Sequence, residues 1–107
     1  MKKRRPDESL IASIIGEDCF LKGDIEVQHS VRIEGRIEGN IHAQGDVIIG
    51  QHSHIKGNIL GKTITVSGEI IGNIEAIQGI KILRTGRVYG DIKGDRLTID
   101  EGGLYKG

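Results

Sequence analysis

Apolar and polar residues alternate along most of the chain, in short stretches such as Ile41-His42-Ala43, Val47-Ile48-Ile49 and His54-Ile55-Lys56. A period of two marks a strand with one buried face rather than a helix. The three stretches are separated by Gln44-Gly45-Asp46 and by Gly50 to Ser53, so they read as short strands joined by tight corners. The alternation predicts that Ile41, Ala43, Val47, Ile49 and Ile55 point inward. The same inward set precedes them as Ile25, Val27, Val31, Ile33 and Ile37. It follows them as Ile59, Gly61, Ile64, Val66 and Ile70, and again as Ile74, Ala76, Ile80, Ile82 and Val88. A final set is Ile92, Gly94, Leu97, Ile99 and Tyr105, and an incomplete first one runs from Leu10 to Ile15 and on to Leu21.

The triplet Gly-Asx-Ile punctuates this pattern at Gly23, Gly39, Gly57, Gly72 and Gly90, in steps of 16, 18, 15 and 18 residues. Steps of this size are too short for helix-pair repeats and suit one coil of a β-solenoid. Three strands per coil predict an all-β fold, a single-stranded parallel β-helix of triangular section with about six short coils. It is expected over residues 13–107, behind a flexible basic tail at 1–12. Stacked isoleucines form its interior ladders, and a β-branched shape suits a pleated wall. Ala43, Gly61, Ala76 and Gly94 share one position with Val27, where small residues keep the coil narrow. The Asx residues Asp24, Asn40, Asn58, Asn73 and Asp91 are expected to stack at a corner and bond neighbouring backbone amides. The corner after the middle strand has two lengths: Ile33 to Gly39 and Val66 to Gly72 span 6 residues, whereas Ile49 to Gly57 and Ile82 to Gly90 span 8.

Composition narrows the function. The hydrophobic fraction of 36% is carried by Ile and Val, with no Trp, one Phe and two Tyr, which excludes an aromatic-lined pocket or a base-stacking platform. A formal charge of zero argues against a nucleic-acid binder, whose phosphate contacts need a basic stripe. The single Cys19 permits no internal disulfide and fits a reducing compartment. Met1-Lys2-Lys3-Arg4-Arg5 is followed by Pro6-Asp7-Glu8 and by an apolar run too short for a signal core or a bilayer span, so the expected location is the cytoplasm. Lys2, Lys3, Arg4 and Arg5 are a candidate electrostatic tether to an anionic leaflet, each cation contributing roughly 1 kcal/mol.

Catalytic chemistry is not legible. His29, His42, His52 and His54 fall on outward positions of different strands or in corners, so no three converge as metal ligands. Gly-Asx-Ile lacks the Gly-Lys-Ser/Thr ending of a phosphate loop, and no nucleophile stands beside a base. No cofactor is expected. Outward positions are charged with mixed sign, the main exceptions being Ile48, Leu60, Ile71 and Tyr89; Ile71 and Tyr89 occupy equivalent sites and form a candidate lateral contact.

Solenoids that stay monomeric need polar caps, because terminal coils expose unpaired backbone and half a core. No capping helix is legible here. Leu10, Ile11, Ile14, Phe20 and Leu21 at one end, and Leu97, Ile99, Leu104 and Tyr105 at the other, are therefore the candidate polymer interface. Repeated end contacts would give a filament rather than a closed ring.

The recurrent Gly-Asx-Ile, the run Ile33-Glu34-Gly35-Arg36-Ile37-Glu38-Gly39, its partial echo Ile70-Ile71-Gly72 and the short basic tail together resemble the bactofilin family. The resemblance covers roughly residues 14 to 107. It implies a right-handed β-helix that polymerises without nucleotide into non-polar filaments through alternating like-end contacts. It further implies attachment to the inner face of the cell membrane through the N-terminal tail, and a scaffold role for cell-wall or polarity proteins in cell shape or polar organisation. Two alternatives belong to other classes. One is a trimeric left-handed β-helix enzyme, an acyltransferase or a carbonic-anhydrase-like protein, opposed by the paired inward residues Val47 with Ile49 and Ile80 with Ile82. The other is a non-polymerising solenoid adaptor.

Overall fold

A computed structural model of the chain describes residues 13–107. The strands run in chain order as β1 (Ser13–Ile15), β2 (Phe20–Lys22), β3 (Ile25–Val27), β4 (Val31–Ile33), β5 (Arg36–Glu38), β6 (Ile41–Ala43) and β7 (Val47–Ile49). They continue as β8 (His54–Lys56), β9 (Ile59–Val66), β10 (Glu69–Ile71), β11 (Ile74–Ile82), β12 (Arg87–Tyr89), β13 (Ile92–Ile99) and β14 (Leu104–Lys106). All pairings are parallel and link equivalent positions of successive coils: Val31 pairs with Val47, Val47 with Ile64, Ile64 with Ile80 and Ile80 with Leu97. The chain is thus a parallel β-solenoid of about five turns.

Its strands fall into three columns. The first holds β3, β6 and the leading halves of β9, β11 and β13; the second holds β1, β4, β7 and the trailing halves of the same three strands. The third holds β2, β5, β8, β10, β12 and β14. Two columns have six members and the first has five, which is why five turns stand where about six short coils were expected. The expected division into three separate strands per coil holds only in the early coils. From β9 onward the corner between the first two columns becomes continuous strand, because Gly61-Lys62-Thr63-Ile64 and Gly94-Asp95-Arg96-Leu97 leave only two residues between inward positions. In β11 the pairing shifts between Ala76 and Gly79, so Ile77 and Gln78 stand opposite the single Lys62 of β9. Two residues against one define a β-bulge, and the displaced Ile77 is 72% exposed.

The core is the predicted ladder of inward residues. Ile33, Ile37, Ile41, Ile49, Ile55, Ile59, Ile64, Ile70, Ile74 and Ile82 are essentially fully buried, with Val31, Val47, Val66 and Val88 among them. Each such side chain contributes about 1.5–3 kcal/mol relative to exposure. Ala43 and Ala76 are also buried, at the position where the sequence keeps side chains small.

The repeat glycines form a column of their own. Gly39, Gly57, Gly72 and Gly90 have φ between +144° and +157°, and a Cβ on any of them would collide with the carbonyl oxygen of the glycine one coil earlier. Beside them runs the expected Asx ladder. The Asn40 backbone N–H donates to Asp24 Oδ1, that of Asn58 to Asn40 Oδ1, that of Asn73 to Asn58 Oδ1 and that of Asp91 to Asn73 Oδ1, each at 3.0 Å. Both columns hold successive coils in register at one corner.

Candidate functional site

The candidate functional surfaces are the faces and ends of the stack, since its interior is filled with aliphatic side chains. At the C-terminal coil, Leu97 and Ile99 are 44% and 43% exposed, although their partners one coil earlier, Ile80 and Ile82, are 3% and 0%. They have the inward register of the core and lack a covering coil among the described residues. Ile92 and Tyr105 complete the same rim and are partly buried against the core. At the opposite end Ile15, Leu21, Ile25 and Val27 pack on the core in the same half-covered way.

The candidate polymer residues therefore separate into two groups. Leu21, Leu97, Ile99 and Tyr105 have inward register, Leu21 pairing with Ile37 and Tyr105 with Val88. Ile14, Phe20 and Leu104 have outward register, opposite Arg32, Arg36 and Arg87, and lie on the sides of the terminal coils rather than across their openings. They are nonetheless exposed, at 68%, 54% and 39%. The Arg36 guanidinium lies 5.3 Å from the Phe20 ring centroid and the Lys22 ammonium 5.9 Å. Leu10, Ile11 and the tail cations Lys2, Lys3, Arg4 and Arg5 lie outside the described residues. Ile71 and Tyr89 are direct neighbours on the outer surface of the third column, Ile71 exposed and Tyr89 half-buried.

The histidines are dispersed, as their positions in the sequence indicate. His54 Nδ1 lies 3.1 Å from Glu69 Oε1 and His42 Nδ1 lies 3.8 Å from Glu26 Oε2, in separate columns. Among the described residues no group of three His, Cys, Asp or Glu side chains is placed to hold a metal ion. Sequence reasoning missed Ser53, which it left in a polar corner. Ser53 is fully buried and its hydroxyl donates to the Gly35 carbonyl at 2.8 Å, tying one long corner to the shorter one before it. Its signal was weak, since a serine in a loop ordinarily faces water.

A parallel solenoid whose aliphatic interior is continuous and uncovered at its C-terminal coil, with no assembled reactive group among the described residues, defines a structural, stackable module. The match to a family model covers residues 13–107 and carries the description "Bactofilin: Polymer-forming cytoskeletal"; the chain belongs to the bactofilin family. It is accordingly a structural protein and not an enzyme. A crystal structure of a bactofilin from Thermus thermophilus, in a point-mutant form, resembles the chain with a TM-score of 0.77 at 23% identity. The likeness spans 81% of this chain and 97% of that one and bears on the fold. The chain matches none of the curated proteins compared with it.

Proposed function

We propose that the protein is a cytoskeletal scaffold that assembles into filaments by end-to-end stacking of its solenoid, without nucleotide. The observation that carries this is the exposure of Leu97 and Ile99 in a register where the four preceding coils, from Val31 and Ile33 to Ile80 and Ile82, are covered. A second copy placed over that rim removes apolar surface from water and gives β13 a strand partner, two effects that favour association together. The family's description as polymer-forming and cytoskeletal supports the same reading.

The finer features follow the family resemblance. The solenoid is right-handed and triangular in section, a reading that its three columns of strands support. Contacts join like ends, so the filament has no overall polarity. The protein works in the cytoplasm, tethered to the inner face of the membrane through Lys2, Lys3, Arg4 and Arg5, and organises cell-wall or polarity proteins in cell shape or polar organisation.

Negative-stain electron microscopy of the purified chain without nucleotide, with Leu97→Arg and Tyr105→Arg beside it, tests the assembly. Filaments in the parent and short, folded particles in both variants are expected. Unaltered filaments in the variants would remove the C-terminal rim from the assembly. Discrete small oligomers in the parent would remove the filament itself.

A further inference from the structure

Charge is divided unevenly over the columns. On the outer surface of the third column, the strand pairings set two rows side by side. One runs Phe20, Arg36, His54, Glu69, Arg87, Leu104, and the other runs Lys22, Glu38, Lys56, Ile71, Tyr89, Lys106. Five lysines and arginines thus face two carboxylates. Both carboxylates are engaged within the face: Glu38 lies 4.0 Å from Lys22, and Glu69 lies 3.1 Å from His54 and 3.8 Å from Arg87. Lys56 and Lys106 are exposed and take part in none of these pairs. The first column has the opposite character, with Glu26, Glu75 and the corner residues Asp24 and Asp91 against the one Lys93.

The same basic face carries exposed apolar groups, Phe20 near one end, Ile71 in the middle and Leu104 near the other. Tyr89 lies beside Ile71, and the Phe20 ring sits under Arg36 and Lys22. Cations attract an anionic lipid surface, while aliphatic and aromatic groups among them enter the headgroup boundary.

We infer that the outer face of the third column, with Lys56, Arg87, Ile71 and Tyr89 at its centre, is a membrane-docking face that lies flat on an anionic bilayer. This deepens the reading of a membrane-attached scaffold but places the contact on the solenoid wall as well as the tail. Each coil adds its own cation or apolar group, so the face works along the length of the stack.

The test is co-sedimentation of the full chain with vesicles of anionic phosphatidylglycerol mixed with phosphatidylcholine, against phosphatidylcholine alone. Folding is followed by circular dichroism and assembly by electron microscopy. The parent is expected to bind the anionic vesicles and to release them in about 0.5 M salt, where screening removes the attraction. Lys56→Glu with Arg87→Glu should lower the partition by at least about tenfold while filaments persist. Arg32→Glu with Lys81→Glu, an equal change of charge on the second column, should leave most of it. Ile71→Ser with Tyr89→Ser gives a readout independent of charge and should weaken binding several-fold.

Equal loss in both charge-reversal variants, or no loss in either, would overturn the assignment. So would complete loss of binding on deleting residues 2–5 alone, which would leave membrane attachment in place but confine it to the tail. A parent that ignores anionic vesicles would overturn both. Dispersal of lateral bundles by Lys56→Glu with Arg87→Glu, with vesicle binding unchanged, would assign the face to the acidic column of a second copy and refute the membrane contact.

Discussion

Gly57 shows how little freedom a repeat glycine has. Its φ of +149° lies in a region that other residues avoid, and a Cβ would run into the Gly39 carbonyl. Gly57→Ala is therefore expected to cost at least about 2 kcal/mol in urea unfolding. Gly23→Ala separates the two effects, because Gly23 has a φ of +124° with nothing within 4 Å of the added carbon. It should cost only the backbone strain, about 1 kcal/mol. The Asx column makes a parallel case. Asn58→Ala leaves the Asn73 backbone N–H without its acceptor, an expected loss of about 1 kcal/mol, whereas Asn58→Asp keeps the acceptor, as Asp24 does for the Asn40 backbone N–H.

Among the elements, the columns differ in how much their sequences disclosed. The inward set was legible because period-two alternation and a fixed glycine mark fix the phase, and the residues it selects, from Val31 to Val88, form the buried core. The Asx ladder was legible for the same reason, since one side chain returns at one corner. Strand boundaries were not. Whether a corner interrupts a strand depends on two versus three intervening residues and, in β11, on a bulge that absorbs the third, differences too small to weigh without the neighbouring coil. The end residues were grouped by apolarity alone, although alternation with the inward Leu21 and Tyr105 puts Phe20 and Leu104 outward, where they stand opposite arginines. Ile77 escaped because a bulge suspends the period that reveals everything else. Ile77→Ser should leave stability within about 0.5 kcal/mol, while Ile64→Ala, in the fully buried ladder, should cost about 2–5 kcal/mol; thermal and urea unfolding distinguish them.

For the whole molecule, burial and charge act on different surfaces. End contacts would be made chiefly by aliphatic residues, so filaments are expected to persist in about 1 M salt, where the Debye length is near 3 Å. Attachment to a lipid surface should by then be lost. Sedimentation at rising salt, with and without vesicles, reads both in one titration; filaments that dissolve as early as the vesicle contact would show that charge, not burial, holds the ends.

The Asx ladder finally gives each subunit a direction. Every bond in it points the same way, from the amide of one coil to the side chain of the coil before, so one end finishes in Asp91, whose carboxylate receives none of the ladder's bonds. A subunit is chemically an arrow even if the filament is not. Where two like ends meet, the arrows oppose one another and this column cannot run on across the joint. Filaments of that kind would be seamless within a subunit and jointed between subunits, and pulled or sheared strands would part at alternate, chemically distinct seams.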